Sequence, residues 1–327
     1  MIILSMETML STHYNIQANE KVVLAGRDGY KQDEYVYFTI SSDNREIIHM
    51  EQAALAYYLL ESNYQHTAIP VANVNGDWFT EYDNRTYMVL MAQQLNHTKR
   101  GSGGLALASF HTLGSLYSFE PQQVSSYGQW KTLWIEKLEA YEKHIPIAAK
   151  ETPNDYFRLV MDTLPYLIGL SENAIQYLQE SERESRFDET DQGTICFNRY
   201  RDNLQKSIIW LDDIVFDHPV RDLAEYVRSL LLSNTPLEEV IAFLRDYQTE
   251  RSLSIFSWRL LYARLLYPVH FFDHFDMVMR GQTLEDAYLE FSSLLTIQEE
   301  YQKNLREFYN WVGLDYTSLQ IPVLHWL

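Results

Sequence analysis

The sequence predicts an α+β protein of two lobes, a small mixed β lobe followed by a larger and mainly helical one. Its 327 residues are more than one minimal core needs and suit two medium-sized lobes. Strand-like runs crowd into the first 92 residues, and long helical patterns take over after a glycine-rich break at 101–104. We therefore expect an N-terminal β-rich lobe over 1–92 and a C-terminal helical lobe over 93–327.

The first lobe is predicted to contain strands on both sides of one helix. The β-rich runs are KVVLAGRDGY, EYVYFTI and TYMVLMA, and the turns are GRDG, SSDN and VNGD. The helix is predicted over residues 44–62. Its i, i+3, i+4 spacing predicts that one face packs on the sheet, the face made of Ile47, Met50, Ala54, Tyr57 and Tyr58.

The second lobe is predicted from a series of long helical patterns joined by short polar segments. A charged stretch at 179–193 has the composition of a solvated connection. The helical patterns cover residues 105–118, 130–145, 153–184, 220–232, 236–248, 252–266 and 283–311.

Composition excludes several classes of protein. A net charge of −19 repels nucleic acid and anionic lipid, so we expect no nucleic-acid partner and no membrane insertion. The single cysteine, Cys196, excludes an intrachain disulfide and a multi-cysteine zinc site, and its apolar neighbours predict burial. The N-terminus lacks the basic and long apolar regions of a secretory signal peptide, so we expect synthesis in the cytoplasm.

Three stretches carry a resemblance to a known superfamily: LALASFHTLG at 105–114, WLDDIVFDHPVRDLAEYVR at 210–228 and WRLLYARLLYPVHFFDHF at 258–275. They resemble the aminoglycoside phosphotransferase and choline kinase-like proteins, and within these the CotS/YutH type of spore coat protein. The resemblance covers most of the chain and is strongest from 193 to 275. It implies a bilobal protein-kinase-like fold whose catalytic and metal-binding loops lie at 193–222.

The positions that carry chemistry in this superfamily are occupied by unsuitable residues. Phosphoryl transfer needs a metal ion on the phosphates and a carboxylate that orients the incoming hydroxyl. The resemblance places the metal ligand twelve residues before Asp222, where Trp210 stands, and an indole offers Mg²⁺ no oxygen. It places the catalytic base at Arg199, whose guanidinium accepts no proton, and a second metal ligand at Asn203.

The nucleotide cation of the superfamily is also missing. No lysine occurs between Lys31 and the first long helix, so Glu51 on that helix, the candidate partner of such a lysine, is as readily a capping carboxylate. Asp212 and Asp213 are the remaining, weak candidates for a metal ion. The HFFDH run offers His270 and His274 as an alternative pair of zinc ligands, although its aromatic content favours packing.

Two polar residues are predicted to have structural tasks. His111 in SFHT matches a family position that packs under the catalytic loop, so the resemblance implies a buried, hydrogen-bonded ring. Asp222 lies in the first turn of a predicted helix. The exposed N–H groups and the positive end of the helix dipole stabilise a carboxylate at this place.

The sequence thus predicts a catalytically degenerate kinase-like protein, a pseudokinase, with no bound cofactor. The resemblance implies a structural or interaction component of the endospore coat, made in the mother-cell cytoplasm, with other spore coat proteins as partners. Two alternatives remain open. The chain is an active small-molecule phosphotransferase if a lysine or arginine of the sheet joins Asp212 and Asp213 around ATP and Mg²⁺. It is a small-ligand binder if Trp210 lines an open cleft, whereas a Trp210 that fills the cleft counts against both.

Overall fold

The computed structural model describes residues 6–93 and 102–324. The chain divides into two compact units. The first consists of Met1–Ser126 together with Gly193–Asp217, and the second of Tyr127–Gln192 together with His218–Leu327. The first unit therefore combines the N-terminal residues with a hairpin from much later in the sequence, and the lobe boundary predicted near residue 92 lies inside it.

The first unit is a mixed α/β structure with an antiparallel sheet. The helices and strands of its described residues are α1 (Met6–Tyr14), β1 (Glu20–Leu24), β2 (Arg27–Gln32), β3 (Tyr35–Ser41), α2 (Glu46–Glu61), β4 (Ile69–Pro70), β5 (Phe79–Tyr82), β6 (Arg85–Gln93), α3 (Gly103–Gly114), β7 (Thr194–Phe197) and β8 (Ile214–Asp217).

Strands β1 to β6 form one sheet in the order β1-β2-β3-β6-β4, with β5 also paired to β6. The pairs are antiparallel, and β1 and β2 are joined through Ala25 and Gly26, which both have positive φ, as a two-residue hairpin turn requires. On β3 the side chains of Val36, Phe38 and Ile40 are buried, with less buried residues between them. This alternation is the period of a strand with one covered face.

The helix predicted over residues 44–62 is confirmed as α2, but α2 buries a different face from the predicted one. Ile47 is 66% exposed and Met50 is 50% exposed, so the prediction that they pack on the sheet is wrong. The buried residues are His49, Gln52, Ala53, Leu55, Ala56 and Leu59. The helix is apolar around much of its circumference, so spacing alone does not select a face. A polar contact contributes instead, because the Gln52 amide donates to the carbonyl of Ile214 at 2.8 Å.

The second unit is helical in its described residues. It contains α4 (Trp130–Glu151), α5 (Asp155–Arg183), α6 (Val220–Leu232), α7 (Leu237–Glu250), α8 (Ile255–Leu266), α9 (Val269–Met279), α10 (Leu284–Arg306) and α11 (Phe308–Trp311). The predicted helical patterns of this unit are confirmed, with one additional break, and α9 lies between two of them. Pro268 separates α8 from α9, since proline cannot donate the next helical hydrogen bond. Glu307 separates α10 from α11.

A buried carboxylate organises the second unit. Asp191 Oδ1 accepts hydrogen bonds from His218 Nε2 at 3.0 Å, Ser254 Oγ at 2.8 Å and Ser257 Oγ at 2.6 Å. Ser254 is also the N-cap of α8. Asp191 therefore ties the start of α8 to the segment that leads into α6. Across the described residues, none of the helices is both long enough and apolar enough to cross a bilayer.

Candidate functional site

The β7–β8 hairpin brings together the two loops in which the sequence places the chemistry. Strand β7 pairs antiparallel with β8 from Thr194 opposite Asp217 to Phe197 opposite Ile214. Just beyond the strands, the amide of Asn198 donates to the carbonyl of Asp213 at 2.7 Å. The predicted base position and the predicted metal position therefore lie at the same end of one hairpin.

Helix α3 packs against the hairpin and holds its first strand. His111 is fully buried, its carbonyl accepts from Thr194 Oγ1 at 2.7 Å, and its Nε2 lies 4.0 Å from Cys196 Sγ. A Cβ on Gly114 would lie 2.5 Å from Thr194 Oγ1, so glycine is required for this close approach. Both His111 and Cys196 are thus buried.

Trp210, at the predicted metal-ligand position, is packed into the first unit and only 5% exposed. Its ring meets Phe38 of β3 edge to face, with 4.7 Å between the ring centroids and 85° between the planes. The guanidinium carbon of Arg27 lies 4.3 Å from the centroid of the Trp210 ring. An aromatic pair covered by a cation therefore fills the space around this position, and aromatic edge contacts and cation–π contacts are both favourable.

Arg27 comes from the start of β2, next to the β1–β2 turn. Its Nη1 donates to both carboxylate oxygens of Asp212, at 2.8 Å to Oδ1 and 3.0 Å to Oδ2. At Gly29 the backbone of β2 passes close to the Phe38 side chain of β3, since a Cβ on Gly29 would lie 2.6 Å from the Phe38 ring. The β1–β2 hairpin thereby places the Arg27 side chain between the Trp210 ring and Asp212.

The two acidic candidates do not form a metal site of the expected kind. Both oxygens of Asp212 are engaged by Arg27. Burial, together with the neighbouring charge of Asp212, raises the pKa of Asp213, so its charged form is disfavoured. Because Mg²⁺ requires several hard oxygen ligands and Trp210 supplies none, these residues do not fit a Mg²⁺ ion in the family position.

The loop between β7 and β8 uses its remaining polar residues locally. Arg199 is half-buried, and its Nη1 donates to the carbonyl of the preceding Asn198 at 3.3 Å. Asn203 is buried, and its Oδ1 accepts from the amide of Arg201 at 2.8 Å and from Lys206 Nζ at 3.2 Å. The oxygen that would have served as a second metal ligand therefore stabilises its own loop.

Glu51 also has a partner other than a strand lysine. Its carboxylate accepts from the backbone amides of Gln122, Gln123 and Val124, at 3.0, 2.7 and 3.0 Å. It thus fastens the segment after α3 onto α2, which is a capping task of the kind the sequence left open. On the buried side of α2, His49 Nδ1 and Ser42 Oγ lie 2.8 Å apart, and burial lowers the pKa of His49.

The remaining candidates lie in the second unit. Asp222 is fully buried in the first turn of α6. His270 Nε2 lies 3.1 Å from Gln298 Oε1, whereas His274 Nδ1 lies 3.4 Å from the Tyr156 hydroxyl. The two histidines therefore contact different groups.

Sequence reasoning missed Arg27 and Phe38, which contact Trp210 from the sheet. Arg27 stands in LAGRDGY, a stretch with two glycines that the sequence indicates only as a turn. A basic residue beside a glycine-rich strand turn was the available signal. Phe38 had no distinguishing signal, because it is one of three alternating buried residues of β3.

Residues 7–308 match the family described as "Spore coat putative kinase YutH". The chain belongs to this family. It is 31% identical to the endospore coat-associated protein YutH of Bacillus subtilis (strain 168), over 84% of this chain and 83% of that protein. The family predicted from the sequence is therefore confirmed.

Solved structures similar to this chain are small-molecule kinases. An aminoglycoside phosphotransferase from Alicyclobacillus acidocaldarius has a TM-score of 0.62 at 14% identity, covering 90% of this chain and 93% of that chain. A microcompartment-associated aminopropanol kinase has a TM-score of 0.58 at 12% identity, covering 93% and 97%. A spectinomycin phosphotransferase solved with ADP and spectinomycin has a TM-score of 0.55 at 13% identity, covering 90% and 93%. The predicted kinase-like α+β fold is confirmed, and at these identities the likeness shows the fold alone.

Proposed function

We propose that this chain is a catalytically degenerate kinase-like protein that acts as a structural or interaction component of the endospore coat. The observation that carries the proposal is the packing of Trp210. The ring stands where the resemblance to the kinase superfamily implies a metal ligand, and it contacts Phe38 and Arg27. Phosphoryl transfer depends on charge placed at this position, and here an apolar ring takes its place.

The neighbouring groups support the same proposal. Arg199 at the base position has no proton acceptor, and Asn203 uses its oxygen inside its own loop. Asp212 is neutralised by Arg27. Each group that would act on a phosphate is thus replaced or engaged elsewhere, so we expect neither ATP nor Mg²⁺ to act as a cofactor.

The coat role rests on the relative. The Bacillus subtilis protein is described as endospore coat-associated, and the shared length covers most of both chains. We propose the same location for this chain, with synthesis in the mother-cell cytoplasm and other coat proteins as partners. A net charge of −19 is consistent with a protein that avoids nucleic acid.

A thermal-shift titration with ATP and Mg²⁺ tests the loss of activity. A ligand at about 100 times its Kd stabilises the fold by roughly 2.7 kcal/mol, which is easily measured. The spectinomycin phosphotransferase, which was solved with ADP, serves as the positive control. We expect a shift for that enzyme and none for this chain at millimolar nucleotide. A Mg²⁺-dependent rise in Tm for this chain would refute the proposal.

One observation favours a second candidate, an active small-molecule phosphotransferase. Such an enzyme needs a cation on the sheet near Asp212, and Arg27 stands there. For Arg27 to reach a nucleotide phosphate, its ion pair with Asp212 would have to open. A Mg²⁺-dependent shift that is lost in the Arg27→Gln variant would support this candidate. The packing of Trp210 counts against this second candidate and also against the third alternative, a small-ligand binder.

A further inference from the structure

The end of the second unit at which α5 and α10 begin carries an exposed apolar surface. Two large apolar side chains of α10 line a groove there and are exposed, Tyr288 by 39% and Leu289 by 62%. Exposed apolar side chains that lie together often mark a contact surface. We call this surface, together with the groove beside it, the α5–α10 groove.

The groove has a defined shape. Its volume is about 350 Å³, and its apolar wall consists of Tyr156, Leu284, Tyr288 and Leu289. This is the low end of ligand-site volumes and holds a few side chains of a peptide. Tyr156, at its base, is buried, and its hydroxyl lies near His274. A buried aromatic ring therefore forms part of the groove.

The turn that precedes α10 is fixed. Gln282 Nε2 donates to Glu290 Oε2 at 2.6 Å, and Thr283 Oγ1 bonds the Asp286 carboxylate. Thr283 is the N-cap of α10. A wall that is ordered before binding loses less conformational entropy when a partner arrives.

The charges in the groove are acidic. Asp155 and Glu285 line it, and no basic residue does. Both stand in the first turn of their helices, α5 and α10, and both are exposed. Lys150, Arg158 and Arg280 are the basic residues nearby in sequence, and all three lie outside the lining. The occupant that complements this surface carries apolar side chains and positive charge.

We propose that the α5–α10 groove docks a basic, apolar segment of a partner protein, with leucine-like side chains against Tyr288 and Leu289 and lysine or arginine beside Asp155 and Glu285. The inference rests on the proposed role as an interaction component, since it names the surface that would serve it. The net charge of −19 adds a long-range attraction for such a partner.

Fluorescence anisotropy with a short fluorescein-labelled peptide of leucine and lysine tests the groove on the full chain. The Asp155→Asn, Glu285→Gln double variant should bind about tenfold more weakly, since each exposed ion pair contributes a factor of up to about five. The matched control is Glu238→Gln, Glu239→Gln, which removes two first-turn carboxylates from α7. Leu289→Ser should also weaken binding, whereas Leu116→Ser, an exposed leucine of the first unit, should leave it unchanged.

Several outcomes would overturn the proposal. An equal loss of peptide affinity in the α7 control would mean that net charge alone binds the peptide. Equal affinity for a serine–lysine peptide would mean that the apolar wall does not contribute to recognition. Binding of arginine amide as tight as that of the peptide would indicate a small-molecule pocket. Dimers in sedimentation velocity without peptide, lost in Leu289→Ser, would assign the surface to a second copy of this chain, and absence of any peptide binding would remove the site. None of these results changes the nucleotide titration, so failure of the groove and failure of the proposed function are separable.

Discussion

Replacing Trp210 by alanine should cost the first unit about 4 kcal/mol of unfolding free energy. Truncation of a large aromatic side chain in a core costs about 3–5 kcal/mol, through lost burial and the cavity that remains. Trp210 is nearly fully buried, so the full range applies. The loss includes the edge contact with Phe38, about 0.5–1.5 kcal/mol, and the Arg27 contact, about 0.5–2 kcal/mol.

The change is measured by thermal unfolding followed by circular dichroism. At about 2–4 °C per kcal/mol for a unit of this size, the melting temperature should fall by about 8–16 °C. Trp210→Phe keeps an aromatic edge toward Phe38 and should cost only about 1–2 kcal/mol. Trp78→Ala is the matched control, because Trp78 is half-buried and stacks on Tyr57 with 6.1 Å between centroids.

The reasoning is wrong if Trp210→Ala costs no more than Trp78→Ala. That result would mean that the Trp210 ring is loosely held and that the space around it is available to a ligand. The alanine variant should also show no Mg²⁺-dependent shift with ATP, because truncation creates space but supplies no oxygen ligand.

Three further predictions concern the groups around this packing and one buried histidine. Arg27→Ala should lower the unfolding free energy by about 1–2 kcal/mol, and Arg27→Lys should recover only part, since an ammonium cannot stack as a guanidinium does; urea unfolding measures both. Glu51→Ala should cost about 1–3 kcal/mol by releasing three backbone amides, and Glu51→Gln, which keeps an acceptor, should cost less in the same assay. Burial and the nearby Arg228 lower the pKa of His270 to about 3, so the ring stays neutral in the folded protein but becomes charged in the unfolded chain below about pH 6.5. Stability should therefore fall as the pH drops below about 6.5, by up to about 1.4 kcal/mol per pH unit, and His270→Gln should flatten this slope in urea unfolding at pH 7, 6 and 5.

The sequence was informative where a pattern repeats or a break is sharp. The predicted helices of the second unit are found because their helical patterns are long, and the runs of β1, β2, β3 and β6 are found because their residues are β-rich. The short strands β4 and β5 and the first helix, α1, were missed. A two-residue strand has no period to detect.

The face of α2 could not be predicted because the decisive contact is distant in sequence. Gln52 is buried by its bond to Ile214, far along the chain, while Ile47 and Met50 remain exposed. The same limit applies to the candidate site. The residue at position 210 could be identified by spacing from Asp222, but its cover by Arg27 depends on where the β1–β2 hairpin lies in three dimensions.

The residues that hold the β7–β8 hairpin are different from the residue at the predicted metal-ligand position. The β7–β8 hairpin is held by Thr194 on the His111 carbonyl, by Gln52 on the Ile214 carbonyl and by Ser126, whose hydroxyl donates to Asp217 at 2.8 Å. None of these bonds involves Trp210. A carboxylate at position 210 would have to be desolvated beside Phe38 unless a metal ion compensated it, whereas an indole is stabilised by that contact. Under the proposed loss of phosphoryl transfer, tryptophan at position 210 would therefore add apolar burial at the point where β3 meets the β7–β8 hairpin.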